Sequence, residues 1–148
     1  MKLLSALAAG TLLLAANPAV GAANLVVNGD FEHDLAPWYG SGLIQTAMFA
    51  IDGNFSLAVP YDAHFVTAQQ DLTTVAGQAY RISFLANRHG FEFPQSVRFG
   101  DQQFVLPPSR YDAPQRFSFD AVATSTATVL GFDLGPVGQR PFELVPAF

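Results

Sequence analysis

The chain has 148 residues, with 12 acidic residues against 7 basic ones and a formal net charge of −5. An acidic domain lacks the basic surface that nucleic-acid phosphates require, so we expect no nucleic-acid partner. The chain contains no cysteine, so disulfides do not stabilise it, and its 14 phenylalanines can supply the core of one domain.

Residues 1–23 have the pattern of a secretory signal peptide. Lys2 provides a positive start, a run of mostly leucine and alanine follows, and Pro18 ends that run. Small residues up to Ala23 then offer a cleavage site. The alternative is an uncleaved membrane anchor, for which the apolar run is too short. We expect cleavage after Ala23, a mature domain of residues 24–148, and no membrane insertion once the leader is removed.

The rest of the chain is divided by glycine, proline and asparagine turns into short alternating segments, which is typical of an all-β sandwich. The clearest segment is 79–86, where apolar residues alternate with Arg81 and Ser83 and predict one buried and one solvated face. Gly100-Asp101 predicts a two-residue hairpin turn. The predicted strands are 25–27, 38–39, 43–50, 55–59, 65–72, 79–86, 96–99, 102–106, 115–122, 127–134 and 142–145.

The first mature stretch, 24–40, has a short apolar run, an Asn28-Gly29 turn signal and isolated aromatic residues. No long partner strand follows the turn, so we expect a bend rather than a hairpin. This bend would direct Phe31 into the core.

This opening, NLVVNGDFE at 24–32 with Trp38 after it, resembles the start of a galactose-binding-like β-sandwich. The segments VAGQAYRISF at 75–84 and FSF at 117–119 extend the resemblance in the same order. That fold is a jelly roll of two antiparallel sheets, used by many carbohydrate-binding modules and by exported bacterial proteins of the PEP-CTERM type. The resemblance implies a jelly-roll-like sandwich with Trp38 in its core. The Pro-Glu-Pro sorting tail of PEP-CTERM proteins does not follow Val145, so we expect a secreted or periplasmic protein.

Arginines on three predicted strands are the first candidates for ligand binding. Arg81, Arg98 and Arg116 all have outward parity, which Asp120 shares. If the strands are neighbours, forked donors and a carboxylate form a polar face suited to sugar hydroxyls. The alternative, which the pattern favours, is a solvated face with surface ion pairs.

Tyrosines in predicted loops are the second candidates. Tyr61 and Tyr111 offer rings that can stack on a sugar and hydroxyls that can hydrogen-bond to it, as does Tyr39. Phe91 and Phe93 are also loop aromatics. For these two residues, capping one end of the sandwich is an equal alternative.

A structural calcium ion is implied by the resemblance, because related modules often hold one near the opening Phe-Glu motif and the last strand. Glu32 matches the position after the phenylalanine, and Glu143 is the one acid in a last strand that commonly carries two aspartates. With Asp52 and backbone carbonyls, these acids would supply oxygen ligands. The alternative is that they are ordinary turn residues.

Catalytic motifs are missing from the sequence. The three histidines show no metal-ligand spacing, and no nucleophile elbow is present. We therefore predict an exported, non-catalytic binding module for carbohydrate, with a glycan-active hydrolase as the weaker enzymatic reading. The alternative is a structural envelope or extracellular-matrix protein, which would show a flat apolar patch or an unpaired edge strand. The sequence does not predict an oligomeric state.

Overall fold

The computed structural model describes residues 23–47, 50–59, 66–87, 95–107, 113–134 and 142–145, so the predicted leader lies outside the described residues. These ranges contain ten β-strands and no helix. The strands are β1 Tyr39–Ser41, β2 Ile44–Thr46, β3 Ser56–Val59, β4 Thr67–Thr73, β5 Ala79–Asn87, β6 Gln95–Phe99, β7 Gln102–Leu106, β8 Gln115–Val122, β9 Ala127–Asp133 and β10 Phe142–Val145.

The strands form two five-stranded sheets. Sheet 1 has the order β1-β4-β9-β6-β7, and sheet 2 has the order β2-β3-β10-β5-β8. Every pairing is antiparallel. The prediction of an all-β sandwich is therefore confirmed. The central strand of each sheet, β9 or β10, is one of the last two strands in the chain.

The core lies between the two sheets and is built mainly from aromatic rings. Phe84 of β5 meets Phe132 of β9 edge-on, with 5.1 Å between ring centroids. Trp38 adds its ring 5.9 Å from the same Phe132 and 5.4 Å from Phe31. All four side chains are buried, which confirms the predicted core positions of Phe31 and Trp38.

The predicted alternation is confirmed on both strands of the longest pairing, between β5 and β8. On β5, Ile82 and Phe84 are buried while Arg81 is exposed. The predicted hairpin is also present, because Phe99 pairs with Gln102 across a two-residue turn. Gly100 adopts a φ of 61° in that turn, a conformation that glycine adopts without steric cost.

The first predicted strand, 25–27, is wrong, since these residues are irregular. Instead of joining a ladder, Val27 bonds to the buried side chain of Gln70 on β4. Its N–H donates to Gln70 Oε1 at 2.8 Å, and its C=O accepts from Nε2 at 2.9 Å. The next residue, Asn28, has a φ of 51°, which turns the chain away from the extended direction. The predicted strand at 43–50 is also shorter than expected, because β2 is only three residues long.

The loop that follows is organised by the side chain of Asn28. Its Nδ2 donates to the carbonyls of Asp34 at 2.9 Å and Ala36 at 3.0 Å, and its Oδ1 accepts from His33 N at 3.1 Å. Its own carbonyl accepts from Trp38 Nε1 at 3.0 Å. One asparagine thus satisfies several backbone groups that no ladder reaches and connects the loop to the core tryptophan.

Candidate functional site

The outer face of sheet 2 contains an exposed ion pair between β5 and β8. Arg81 and Asp120 are register partners, with Nε 2.8 Å from Oδ1 and Nη2 3.1 Å from Oδ2. The hydrogen bonds from Arg81 lower the pKa of Asp120, and the same contacts raise the pKa of Arg81. Their side chains are 71% and 67% exposed, so this pair contributes little to stability.

The predicted face with three arginines does not exist, because Arg98 lies in the other sheet. Arg81 and Arg116 share the outer face of sheet 2, whereas Arg98 is on β6 in sheet 1. Alternation along a strand indicates which side chains point outward, but it does not indicate which sheet the strand joins. The sequence pattern therefore combined residues from opposite sides of the sandwich.

Sheet 1 presents a continuous polar row on its own outer face. Register partners run across all five strands of this sheet. Directly opposite residues place their side chains on the same face. In strand order, the row consists of Tyr39, Gln69, Gly131, Arg98 and Gln103. We call this set the sheet 1 row.

Arg98 is fixed in this row by a hydrogen-bonded network. Its Nε donates to Asp133 Oδ2 at 2.6 Å and its Nη2 to Oδ1 at 3.1 Å, and this hydrogen bonding raises the pKa of Arg98. Gln103 Nε2 donates to Ser96 Oγ at 2.8 Å, and Ser96 Oγ lies 3.4 Å from Asp133 Oδ2. The side chains of Arg98 and Asp133 are 37% and 29% exposed, well below the values for Arg81 and Asp120. Partial burial and a shared network hold this pair more rigidly.

Gly131 makes room for the arginine side chain at the middle of the row. A Cβ atom at this position would lie 3.4 Å from Arg98 Nη2 and 3.6 Å from Gln69 Cγ. The guanidinium group therefore lies across strand β9 where that strand has no side chain. A Cβ alone would be in ordinary van der Waals contact with the guanidinium group, whereas a side chain that extends beyond Cβ would displace it from the sheet surface.

Tyr39 stands at the other end of the row. Its hydroxyl donates to Asp71 Oδ1 at 2.8 Å, and this hydrogen bond raises the pKa of Tyr39. The residue is 44% exposed. Three strand spacings separate β1 from β6, which places the ring roughly 14 Å from the arginine strand.

Sequence reasoning included Arg98 and Tyr39 among its candidates, but it did not connect them with Gln69, Gln103 or Gly131. A glycine inside a strand is the one local signal for such a site, because it often marks the close approach of another group. Cross-strand register is a tertiary property, so the remainder of the row had no local signal. The predicted residues Tyr61 and Tyr111 lie outside the described residues.

The predicted calcium ligand Glu32 has a different partner set. Its Oε1 accepts from the backbone N–H groups of Asn54 at 2.6 Å and Phe55 at 2.8 Å, and its Oε2 accepts from Asn54 Nδ2 at 3.0 Å. These hydrogen bonds, chiefly that from the Asn54 side chain, lower the pKa of Glu32. The Glu32 carboxylate therefore accepts three hydrogen bonds from the turn at 54–55, and one of its oxygens, Oε2, accepts only one of them.

Among the described residues, no metal-binding group joins Glu32 to the other two predicted calcium ligands, Asp52 and Glu143. Asp52 is exposed in the turn beside Asn54, and the side chain of Glu143 lies outside the described residues. Within the described ranges, no group of three or more His, Cys, Asp or Glu side chains is arranged to hold a metal ion. Calcium binding by this set remains a prediction.

Comparison with known proteins shows a shared fold. No protein-family profile and no curated protein matches the sequence. The solved module TmCBM61, in complex with β-1,4-galactotriose, is similar with a TM-score of 0.62 and 14% identity over 84% of this chain and 96% of that one. A CBM4 structure gives a TM-score of 0.57 and 16% identity over 81% and 95%.

A third similar structure belongs to a much longer chain. The enzymatically active domain of bacteriophage CBA120 tailspike protein 4 gives a TM-score of 0.59 and 15% identity over 82% of this chain, but over 20% of that one. At such identities the likeness establishes the β-sandwich fold that carbohydrate-binding modules use. Among the described residues, no helix has the length and apolar character needed to cross a membrane.

Proposed function

We propose that the chain is an exported, non-catalytic carbohydrate-binding module, secreted or periplasmic, whose ligand lies along the sheet 1 row. The observation that carries the proposal is the fixed Arg98–Asp133 pair, which shares one face with Tyr39. The shared fold with carbohydrate-binding modules supports the ligand class.

The chemistry of the row suits sugar hydroxyls, which donate and accept hydrogen bonds. Arg98 has guanidinium N–H groups beyond the two that bind Asp133, and the amide of Gln69 offers both a donor and an acceptor. The ring of Tyr39 can stack on the apolar face of a sugar. The charge of Arg98 is balanced by Asp133, so the row favours a neutral glycan over an acidic one.

The carboxylates on this face are already committed to positioning other residues. Asp133 accepts from Arg98, and Asp71 accepts from the hydroxyl of Tyr39. Such groups are suited to holding neighbouring side chains rather than to transferring protons to a glycosidic oxygen. This arrangement supports binding without bond cleavage.

The proposal is tested by binding the purified mature chain to a broad panel of immobilised glycans, with and without a calcium chelator. We expect selective binding that falls at least tenfold in Tyr39→Ala and Gln103→Ala, a loss of about 1.4 kcal/mol. Arg81→Ala is the matched control, because it removes an ion pair from the opposite face. Thermal unfolding of each variant checks that it is folded.

Two results would decide between the two sheet faces, and a third would refute the proposed function. Loss of binding in Tyr39→Ala but not in Arg81→Ala supports the sheet 1 row. Loss only in Arg81→Ala or Arg116→Ala places the ligand on sheet 2 instead. A folded wild-type chain that binds no glycan refutes the proposed function. Binding that requires calcium would support the calcium prediction separately.

A structural role is the second candidate function, and one observation favours it. An unpaired edge strand is the feature expected of such a protein, and β8 forms an edge of sheet 2. No described strand pairs with the outer side of β8.

A further inference from the structure

The backbone of β8 alternates between bonding to β5 and facing the open edge. Just beyond the end of β8, Ala123 N donates to Gln78 O at 3.0 Å. The backbone N–H and C=O groups of the odd-numbered residues therefore point towards β5. The even-numbered Val122 faces away from β5, and its N–H and C=O bond instead to the side chain of Gln102 at 3.2 and 2.6 Å. Arg116, Ser118 and Asp120 share this parity, so their N–H and C=O groups point towards the open edge.

The residues along this edge form a self-complementary sequence. Arg116 and Asp120 lie two residues to either side of Ser118. An antiparallel copy centred on Ser118 therefore places each arginine opposite the aspartate of the other copy. Opposite charges at directly opposed positions favour strand pairing, and like charges oppose it.

We propose that two copies of this chain pair through β8, antiparallel, about a twofold axis at Ser118. The two β8 strands then join the two copies of sheet 2 into one continuous sheet. Three register pairs face each other through the exposed backbone groups, and each exchanges two hydrogen bonds. The surface on one copy is the same as that on the other, as a twofold interface requires.

The charged side chains of β8 in one copy can pair with those of β8 in the second copy. Asp120 is held on one side by Arg81, its register partner on β5. Arg116 takes part in neither of the two ion pairs described above. In the paired form, Arg116 of the second copy reaches the other side of Asp120, so that an aspartate lies between two arginines on each half of the interface.

The aromatic side chains on the core side of β8 are also complementary between the two copies. Phe117 and Phe119 are half-buried on the core side of β8, and Phe119 stacks on Phe104 of β7 with 4.9 Å between ring centroids. In the proposed register, Phe117 of one copy is opposite Phe119 of the other. Aromatic residues at opposed positions are favourable cross-strand pairs.

Both ends of the exposed edge are blocked, which fixes the register. Gln102 occupies the backbone groups of Val122 at one end, and Pro114, which has no N–H, precedes the strand at the other. A shift of the pairing by two residues in either direction loses both arginine–aspartate pairs. The site is on sheet 2, so the pairing leaves the sheet 1 row open and is independent of the proposed glycan binding.

Charge exchange tests the proposal. The mass of the purified mature chain is measured over a concentration series by sedimentation equilibrium. We expect a dimer that weakens at least tenfold in Arg116→Asp and in Asp120→Arg, because each variant alone places like charges opposite each other. Mixing the two variants restores opposite charges at both positions and should give a heterodimer. Asp101→Arg, in the exposed β6–β7 turn, is the control for Asp120→Arg, because it makes the same change of charge away from β8.

A crosslink gives a second measurement that does not depend on charge. The chain has no cysteine, so Ser118→Cys introduces a single thiol on the twofold axis. Cα atoms of hydrogen-bonded antiparallel partners are about 5.5 Å apart, within the range of a disulfide. Rapid oxidation of Ser118→Cys to a covalent dimer, with Ser41→Cys on sheet 1 remaining monomeric, supports the proposal. A wild-type monomer at every concentration, or a dimer that both charge variants leave unchanged, overturns it.

Discussion

Asn28 is the residue whose replacement tests most directly how the loop before β1 is held. The side chain makes three hydrogen bonds of 2.9 to 3.1 Å and a longer one of 3.4 Å, all to backbone groups of the same loop. The residue also has a left-handed φ of 51°. Asn28→Gly removes the hydrogen bonds and tolerates the φ, whereas Asn28→Ala removes the bonds and strains the backbone.

The structure sets the expected size of both effects. A net hydrogen bond contributes about 0.5–1.5 kcal/mol, and these bonds are exposed, so three of them contribute about 2 kcal/mol. The glycine substitution destabilises the folded state by about a further 0.5–1 kcal/mol, because glycine loses more backbone entropy on folding than other residues do. Alanine avoids most of that cost, but the left-handed conformation costs it about 1–2 kcal/mol. We expect a loss of about 2–3 kcal/mol for Asn28→Gly and about 3–4 kcal/mol for Asn28→Ala.

Urea unfolding followed by tryptophan fluorescence measures both values. The probe is local, since the chain has one tryptophan and Trp38 Nε1 donates to the Asn28 carbonyl. At this chain length, the alanine variant should also melt about 10–15 °C lower. A loss below about 0.5 kcal/mol in Asn28→Gly would show that the side-chain bonds do not hold the loop. Equal losses in the two variants would show that the left-handed backbone is not a separate cost.

Three further changes test other parts of the structure. Glu32→Gln should lower the urea midpoint at neutral pH. Because hydrogen bonds lower the pKa of folded Glu32, this difference should shrink as the pH falls below about 4.3, and a difference independent of pH would contradict the assignment. Phe84→Ala removes a fully buried ring that contacts Phe132 and should cost about 3–5 kcal/mol of unfolding free energy; a loss below about 2 kcal/mol would contradict the packing described here. Gly131→Val should displace Arg98 and reduce glycan binding at least tenfold, about 1.4 kcal/mol, with a nearly unchanged melting temperature; unaltered binding would exclude a role for Arg98.

Strand positions were largely predictable because they depend on local alternation. The predicted bounds of β7, β8 and β10 agree with the structure, and the turn at Gly100 follows from the conformation that glycine adopts there. The buried positions of Phe31 and Trp38 were also predicted correctly. Each of these features is determined by a few neighbouring residues.

The errors arose where distant residues compete with local preference. The segment 25–27 has strand-like residues, but Gln70, more than forty positions away, bonds to Val27 in place of a ladder. Arg98 has the expected outward parity, but its strand belongs to sheet 1. It therefore lies on the other side of the sandwich from Arg81 and Arg116, whose strands belong to sheet 2. Glu32 accepts hydrogen bonds from the backbone N–H groups of Asn54 and Phe55. These residues are more than twenty positions away, so the sequence around Glu32 does not predict the contact.

The position of β9 and β10 at the centres of their sheets has a consequence for the order of events during synthesis. Until residues 127–145 have left the ribosome, β4 lacks its neighbour β9, and β3 and β5 lack β10. Among the described strands, the short β2–β3 and β6–β7 pairings are the ones local enough to form early, since closing longer loops costs more entropy. A growing chain of this topology cannot complete either sheet before residues 127–145 are available, so folding of both sheets depends on the same segment.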